Sequence, residues 1–100
     1  MDRPQFIMFI EPCRPEMPVS PTEDEIRIVG EHFAYLKAEF DAGNVILVGR
    51  THEPPFVGIA VFEAEDEAAA ARFAQQDPAI KAGVFNLVRI QSYQVALLRT

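Results

Sequence analysis

"GNVILVGRTHEPPFVGIAVFE", residues 43–63, holds two short apolar runs, VILVG at 45–49 and FVGIAVFE at 56–63. Val and Ile are stiff at χ1 and favour a pleated, half-buried surface, so both runs are predicted as strands. The connection RTHEPP carries two prolines and is too irregular for a two-residue hairpin. Two consecutive strands in the middle of a chain fix a fold only through what flanks them.

Upstream lies a helix. In SPTE at 20–23, Ser20 can act as N-cap, Pro21 occupies the first helical position where its missing donor costs nothing, and Glu23 completes a capping box. Gly43 is the expected left-handed terminator, with Asn44 continuing the turn. The apolar stripe Ile26, Val29, Phe33, Leu36 and Phe40 is spaced three and four apart and is predicted to face a sheet. Downstream, EDEAAAARFAQQ at 65–76 reads as a second helix with acids in its first turn and alanines that permit close packing. QFIMFI at 5–10 and VFNLVRIQSY at 84–93 supply outer strands.

The order strand, helix, strand, strand, helix, strand is that of a ferredoxin-like α+β domain with an antiparallel sheet, here expected as one unit over residues 1–100. Prolines 12, 15, 18 and 21 forbid a helix over 11–21 and predict an extended, stiff loop. The tail at 94–100, QVALLRT, is apolar enough to form a further strand or reach across to a partner. Both faces of the sheet are apolar: Phe6, Met8 and Ile10 alternate with Ile7 and Phe9, and Ile59 and Val61 with Ala60 and Phe62. Two helices cover only one face, so a homodimer with sheets packed face to face is expected, its further assembly left open.

A net charge of -6 without a Lys/Arg cluster argues against a nucleic-acid partner. The first twelve residues lack the apolar length of a secretory signal or a membrane span. Cys13 stands alone and can form no internal disulfide, which suits a reducing, cytoplasmic setting. Two histidines and one cysteine without paired spacing give no zinc motif, and AGNVILVG has the wrong glycine spacing for a nucleotide loop. No cofactor is expected.

The runs EHFAYLKAEFDAGNVILVGR and GIAVFEAEDEAAAARFAQQDPAIKAGVF carry a pattern: a helix His followed by an aromatic and Leu, a Gly at the helix end, an apolar strand to Gly, and a late Asp-Pro before Gly. This pattern resembles the YciI-like (YCII-related) family of dimeric α+β barrel proteins. The resemblance implies a ferredoxin-like fold dimerised through its sheets and a site built on His32 and Asp77. Some members of the family are linked to breakdown of aromatic compounds and are similar in fold to muconolactone isomerases. The chain departs from the family pattern at Gly49-Arg50, where many members have Gly-Pro, and in its longer proline-rich insertion. The first puts a cation near the pocket mouth; the second supplies a candidate lid.

His32 borders the apolar stripe between Val29 and Leu36, a placement that suits a general acid or base as well as a half-buried structural histidine. Asp77 stands before Pro78, the ordinary position of a helix cap, and a carboxylate has enough lone pairs to cap and to orient a histidine together. Arg50 can anchor a carboxylate or phenolate through its planar fork, or be a solvated strand end. Tyr35 and Phe85 are candidate pocket walls, core packing being the commoner role for such residues; His52 and Glu53 are expected at the surface. Together these residues favour an enzyme in which His32 shuttles a proton, Asp77 holds it and Arg50 neutralises a small, aromatic-derived or lactone-like anion, by isomerisation, elimination or hydrolysis. The alternative is a non-catalytic ligand-binding or accessory module using the same pocket. A haem or oxygen-using relative would be coloured.

Overall fold

The computed structural model describes residues 3–100, so Met1 and Asp2 lie outside it. Four strands, β1 (Gln5–Pro12), β2 (Val45–Arg50), β3 (Gly58–Glu63) and β4 (Phe85–Tyr93), form one antiparallel sheet in the order β2-β3-β1-β4. Helix α1 (Glu23–Asp41) joins β1 to β2, and α2 (Glu67–Gln75) with the short α3 (Pro78–Lys81) joins β3 to β4. The ferredoxin-like arrangement expected from the element order is therefore present. The sequence pattern missed only α3 as a helix.

Register follows from the strand alternation. Met8 stands opposite Ala60 and Ile90, and Phe6 opposite Phe62, so these side chains share the face packed by Leu36, Ala70 and Ala74 of the helices. Ala70 and Ala74 are fully buried, which lets α2 sit close to the sheet, and the Phe73 ring stacks on Phe62 at 4.3 Å. On the opposite face, Ile7 pairs with Val61 and Phe9 with Ile59. Among the described residues, the core cluster that takes in the helices includes none of these four, and on their side the Arg89 guanidinium lies 4.0 Å over the Phe9 ring.

Both left-handed glycines end helices. Gly43 (φ +88°) follows α1, with Asn44 N–H donating to Glu39 C=O and Gly43 N–H to Phe40 C=O. Gly83 (φ +76°) follows α3 with the same pair of bonds, from Val84 to Ala79 and from Gly83 to Ile80. A Cβ at either position would strain the backbone, which is why glycine closes these motifs.

Three expectations are corrected. The helix begins two residues later than expected: Thr22 is the N-cap, its hydroxyl accepting from Glu25 N–H while Glu25 accepts from Thr22 N–H. TEDE is a second capping box overlapping SPTE, and it prevails because Glu25 also pairs with Arg14. Second, the loop after β1 is a compact set of turns rather than an extended segment: Met17 N–H donates to Arg14 C=O and Ser20 N–H to Glu16 C=O. The Arg14 guanidinium closes it by donating to Ser20 C=O at 2.7 Å. Third, α1 is rotated about its axis relative to the predicted stripe, leaving Ile26, Phe33 and Phe40 59%, 62% and 51% exposed. The buried face runs instead through His32, Tyr35, Leu36 and Glu39, with His32 Nδ1 bonded to Asp77, the Tyr35 hydroxyl to Phe73 C=O, and Glu39 Oε1 to Asn44. The face that turns inward is thus one whose polar groups find partners as well as one that buries Leu36.

The tail at 94–100 forms no strand; Val95 N–H donates to Gln5 Oε1, and Leu97 and Leu98 are exposed. Among the described residues, no helix is long and apolar enough to cross a membrane.

Candidate active site

The rotation of α1 turns His32 toward the sheet, and the sequence DPAI brings a carboxylate to meet it. Asp77 adopts an extended backbone, Pro78 begins α3, and Asp77 Oδ1 accepts the Ala79 N–H at 2.9 Å. Because α3 packs on α1, the same carboxylate reaches His32 Nδ1, at 2.9 Å from Oδ1 and 2.7 Å from Oδ2. Asp77 is wholly buried and His32 8% exposed. Capping and orienting are thus done by one side chain, which accepts from Ala79 N–H and from His32 Nδ1–H.

A proton held on Nδ1 leaves Nε2 with its lone pair. Among the described residues Nε2 has no protein partner, and no buried side-chain nitrogen or oxygen is left unsatisfied, so Nε2 is open rather than sealed. It opens on a cavity of about 530 Å³ between α1, the sheet and the loop after β1. The walls are largely apolar, with Met8, Ile10 and Ala60 from the sheet and Val29 and Leu36 from the helix. The Phe85 ring meets the His32 ring edge-on at 5.0 Å and is part of the lining. The cavity's polar groups are few: His32, Glu25 and Arg50.

Arg50 ends β2 opposite Gly58 and is exposed at the cavity wall. Among the described residues no carboxylate lies within ion-pair range of it. The structure therefore brings His32, Asp77, Arg50 and Phe85 to one place. Tyr35 is elsewhere: it does not line the cavity, and its hydroxyl donates to Phe73 C=O at 2.8 Å. Burial, followed by the charges of Glu39 and Asp77, pushes its phenol up to about 12, so it stays a neutral structural donor. His52 and Glu53 are exposed outside the lining, and Cys13 is an exposed thiol.

Among the lining residues that the sequence reading did not place at the site, two stand out. Met17 is buried from within the proline-rich loop, and Glu25 joins the helix start to that loop. The bond from Arg14, then that from Thr22 N–H, holds the Glu25 carboxyl down at about 2, so this ion pair persists at neutral pH. The overlapping TEDE box was the available signal for Glu25; the sequence held none for Met17.

The YCII-related domain matches this sequence over residues 5–94. The chain belongs to that family. The YCII-related chain is also similar in structure to 5-chloro-2-hydroxyhydroquinone dehydrochlorinase from Burkholderia phenoliruptrix, solved in complex with 2,5-dihydroxybenzoquinone. The two share 21% identity over 90% of this chain and 93% of that one, with a TM-score of 0.70, a likeness of fold. No curated protein matches the sequence. Among the described residues of this YCII-related chain, no group of three or more His, Cys, Asp and Glu side chains is placed to hold a metal ion.

Proposed function

We propose that this YCII-related chain is an enzyme that transfers a proton on a small anion, aromatic-derived or lactone-like, bound in the cavity beside α1. The observation that carries this reading is the His32 ring fixed through Nδ1 by a buried carboxylate, with Nε2 open to an apolar cavity. Nε2 takes a proton from a carbon next to a carbonyl or from a hydroxyl, and Asp77 stabilises the imidazolium that results. The charge left on the substrate spreads to oxygen, where the Arg50 guanidinium can meet it. Returning the proton to another carbon is isomerisation; loss of a leaving group is elimination; transfer from water is hydrolysis. Likeness to a protein named as a dehydrochlorinase favours elimination among the three. The lone Cys13 supports a reducing, cytoplasmic setting.

The test is a panel of hydroxyquinones, halogenated hydroxyhydroquinones and unsaturated lactones, followed in D₂O by absorbance and NMR. Turnover, or solvent deuterium entering a carbon position, supports the enzyme. Panel members that bind without either outcome favour the non-catalytic module.

We also propose that two copies pack through the helix-free face of the sheet, where Phe9, Ile59 and Val61 lie. Sedimentation equilibrium at tens of micromolar is expected to give twice the 11.2 kDa chain mass, and Phe9→Arg on that face to give the single mass. A wild-type chain that runs as a monomer contradicts the dimer.

A further inference from the structure

We propose that Met17 is a specificity-determining residue that sets how long a ligand the cavity accepts, and that the Arg14–Glu25 pair is the positioning element that holds it there. The inference rests on the reading of the cavity as a ligand site. The loop carrying Met17 is otherwise a surface loop: Pro15, Glu16, Val19 and Ser20 are exposed, Val19 to 75%. Met17 is 5% exposed and lies in the cavity lining. It is also outside the main cluster of the hydrophobic core, so its burial closes the cavity rather than the fold's centre. Methionine is unbranched and fits irregular space, which makes it a suitable wall for an apolar ligand.

The loop is held at each end. Cys13 N–H donates to Val84 C=O at 2.9 Å, which ties its start to the approach to β4. At its far end, the Arg14 guanidinium donates to Glu25 at 3.0 and 2.7 Å and to Ser20 C=O at 2.7 Å. The same Glu25 carboxylate accepts from Thr22 N–H at 2.8 Å. One arginine therefore joins the loop's two arms to the first turn of α1, and Met17 stands between those arms. A paired, two-pronged contact of this kind fixes orientation as well as separation.

The probes are 4-n-alkylbenzoates from methyl to hexyl, titrated by calorimetry and by the methyl signals of protein labelled at its methionines. In the wild type, affinity is expected to rise with chain length until the chain meets Met17 and then to break, with the Met17 methyl signal shifting most at the break. Met17→Ala removes three heavy atoms beyond Cβ, which moves the break out by two or three carbons. At about fourfold per methylene buried, the first ligands past the old break gain roughly 15- to 60-fold, while 4-methylbenzoate changes little. Met17→Leu, of similar volume, keeps the wild-type break. Glu25→Gln leaves Met17 present but loosens Arg14, and is expected to flatten the break without moving it. The same break in Met17→Ala as in the wild type overturns the role of Met17 while leaving the ligand site intact. Absence of binding to both proteins overturns the ligand-site reading, and the Met17 inference with it.

Discussion

His32→Gln is expected to lower kcat by about 10²–10⁴-fold on the substrate that the panel identifies, with KM changed by no more than about threefold. The size of the loss follows from what glutamine lacks. It is close to histidine in length and can still donate an N–H toward Asp77, so the local packing survives. Its side chain, however, offers no basic nitrogen to the cavity. A group that acts only as the reaction proceeds lowers kcat and leaves ground-state binding alone. Steady-state kinetics on the purified variant checks this, with thermal unfolding to show that it is folded. A kcat within a few-fold of wild type would remove His32 from the chemistry and leave the binding-module reading in its place.

Asp77→Ala is expected to cost about 3 kcal/mol of stability, or roughly 12–24 °C in Tm for a chain of this size. Two donors lose their acceptor at once, Ala79 N–H at the start of α3 and His32 Nδ1–H, and both lie in the interior. Asp77→Asn keeps an oxygen for the cap but offers one acceptor in place of two, so its cost is nearer to about 1 kcal/mol. The contrast matters because the two changes should rank differently in different assays. Alanine is the worse in urea or thermal unfolding, whereas asparagine already disturbs the histidine. Equal, small losses for both variants would mean that the carboxylate bears little of the local structure.

The sequence made the fold legible wherever a local rule decided it. Gly43 closes α1 because the backbone there is left-handed, and the two-faced strands declared themselves through Phe6, Met8 and Ile10 alternating with Ile7 and Phe9. Of the candidate site, the cap was legible from a local rule, an Asp before a Pro, while the pairing of Asp77 with His32 was legible only through the family resemblance; in the fold the two side chains are bonded. What stayed hidden depended on contacts distant in sequence. The rotation of α1 could not be read from the spacing of Ile26, Phe33 and Phe40, because the partners that its inward face meets, Asp77 and Phe73, lie more than thirty positions away. For the same reason the spacing does not separate a pocket wall from core packing at Tyr35, whose hydroxyl turns to Phe73. The start of α1 was ambiguous between two overlapping capping boxes, and only the partner Arg14, brought near by the folded loop, separates them. Met17 looked like loop sequence because proline spacing says nothing of which side chain turns inward.

The measurement that bears most directly on the proposed chemistry is the tautomer of His32 in the resting protein, read from ¹⁵N NMR of the labelled imidazole at alkaline pH. The geometry predicts the proton on Nδ1 and a bare Nε2, with reversal toward the Nε2–H form when Asp77 is replaced by Asn. A wild-type ring carrying its proton on Nε2, unchanged by that substitution, would contradict the account, because the nitrogen that faces the cavity could then accept nothing.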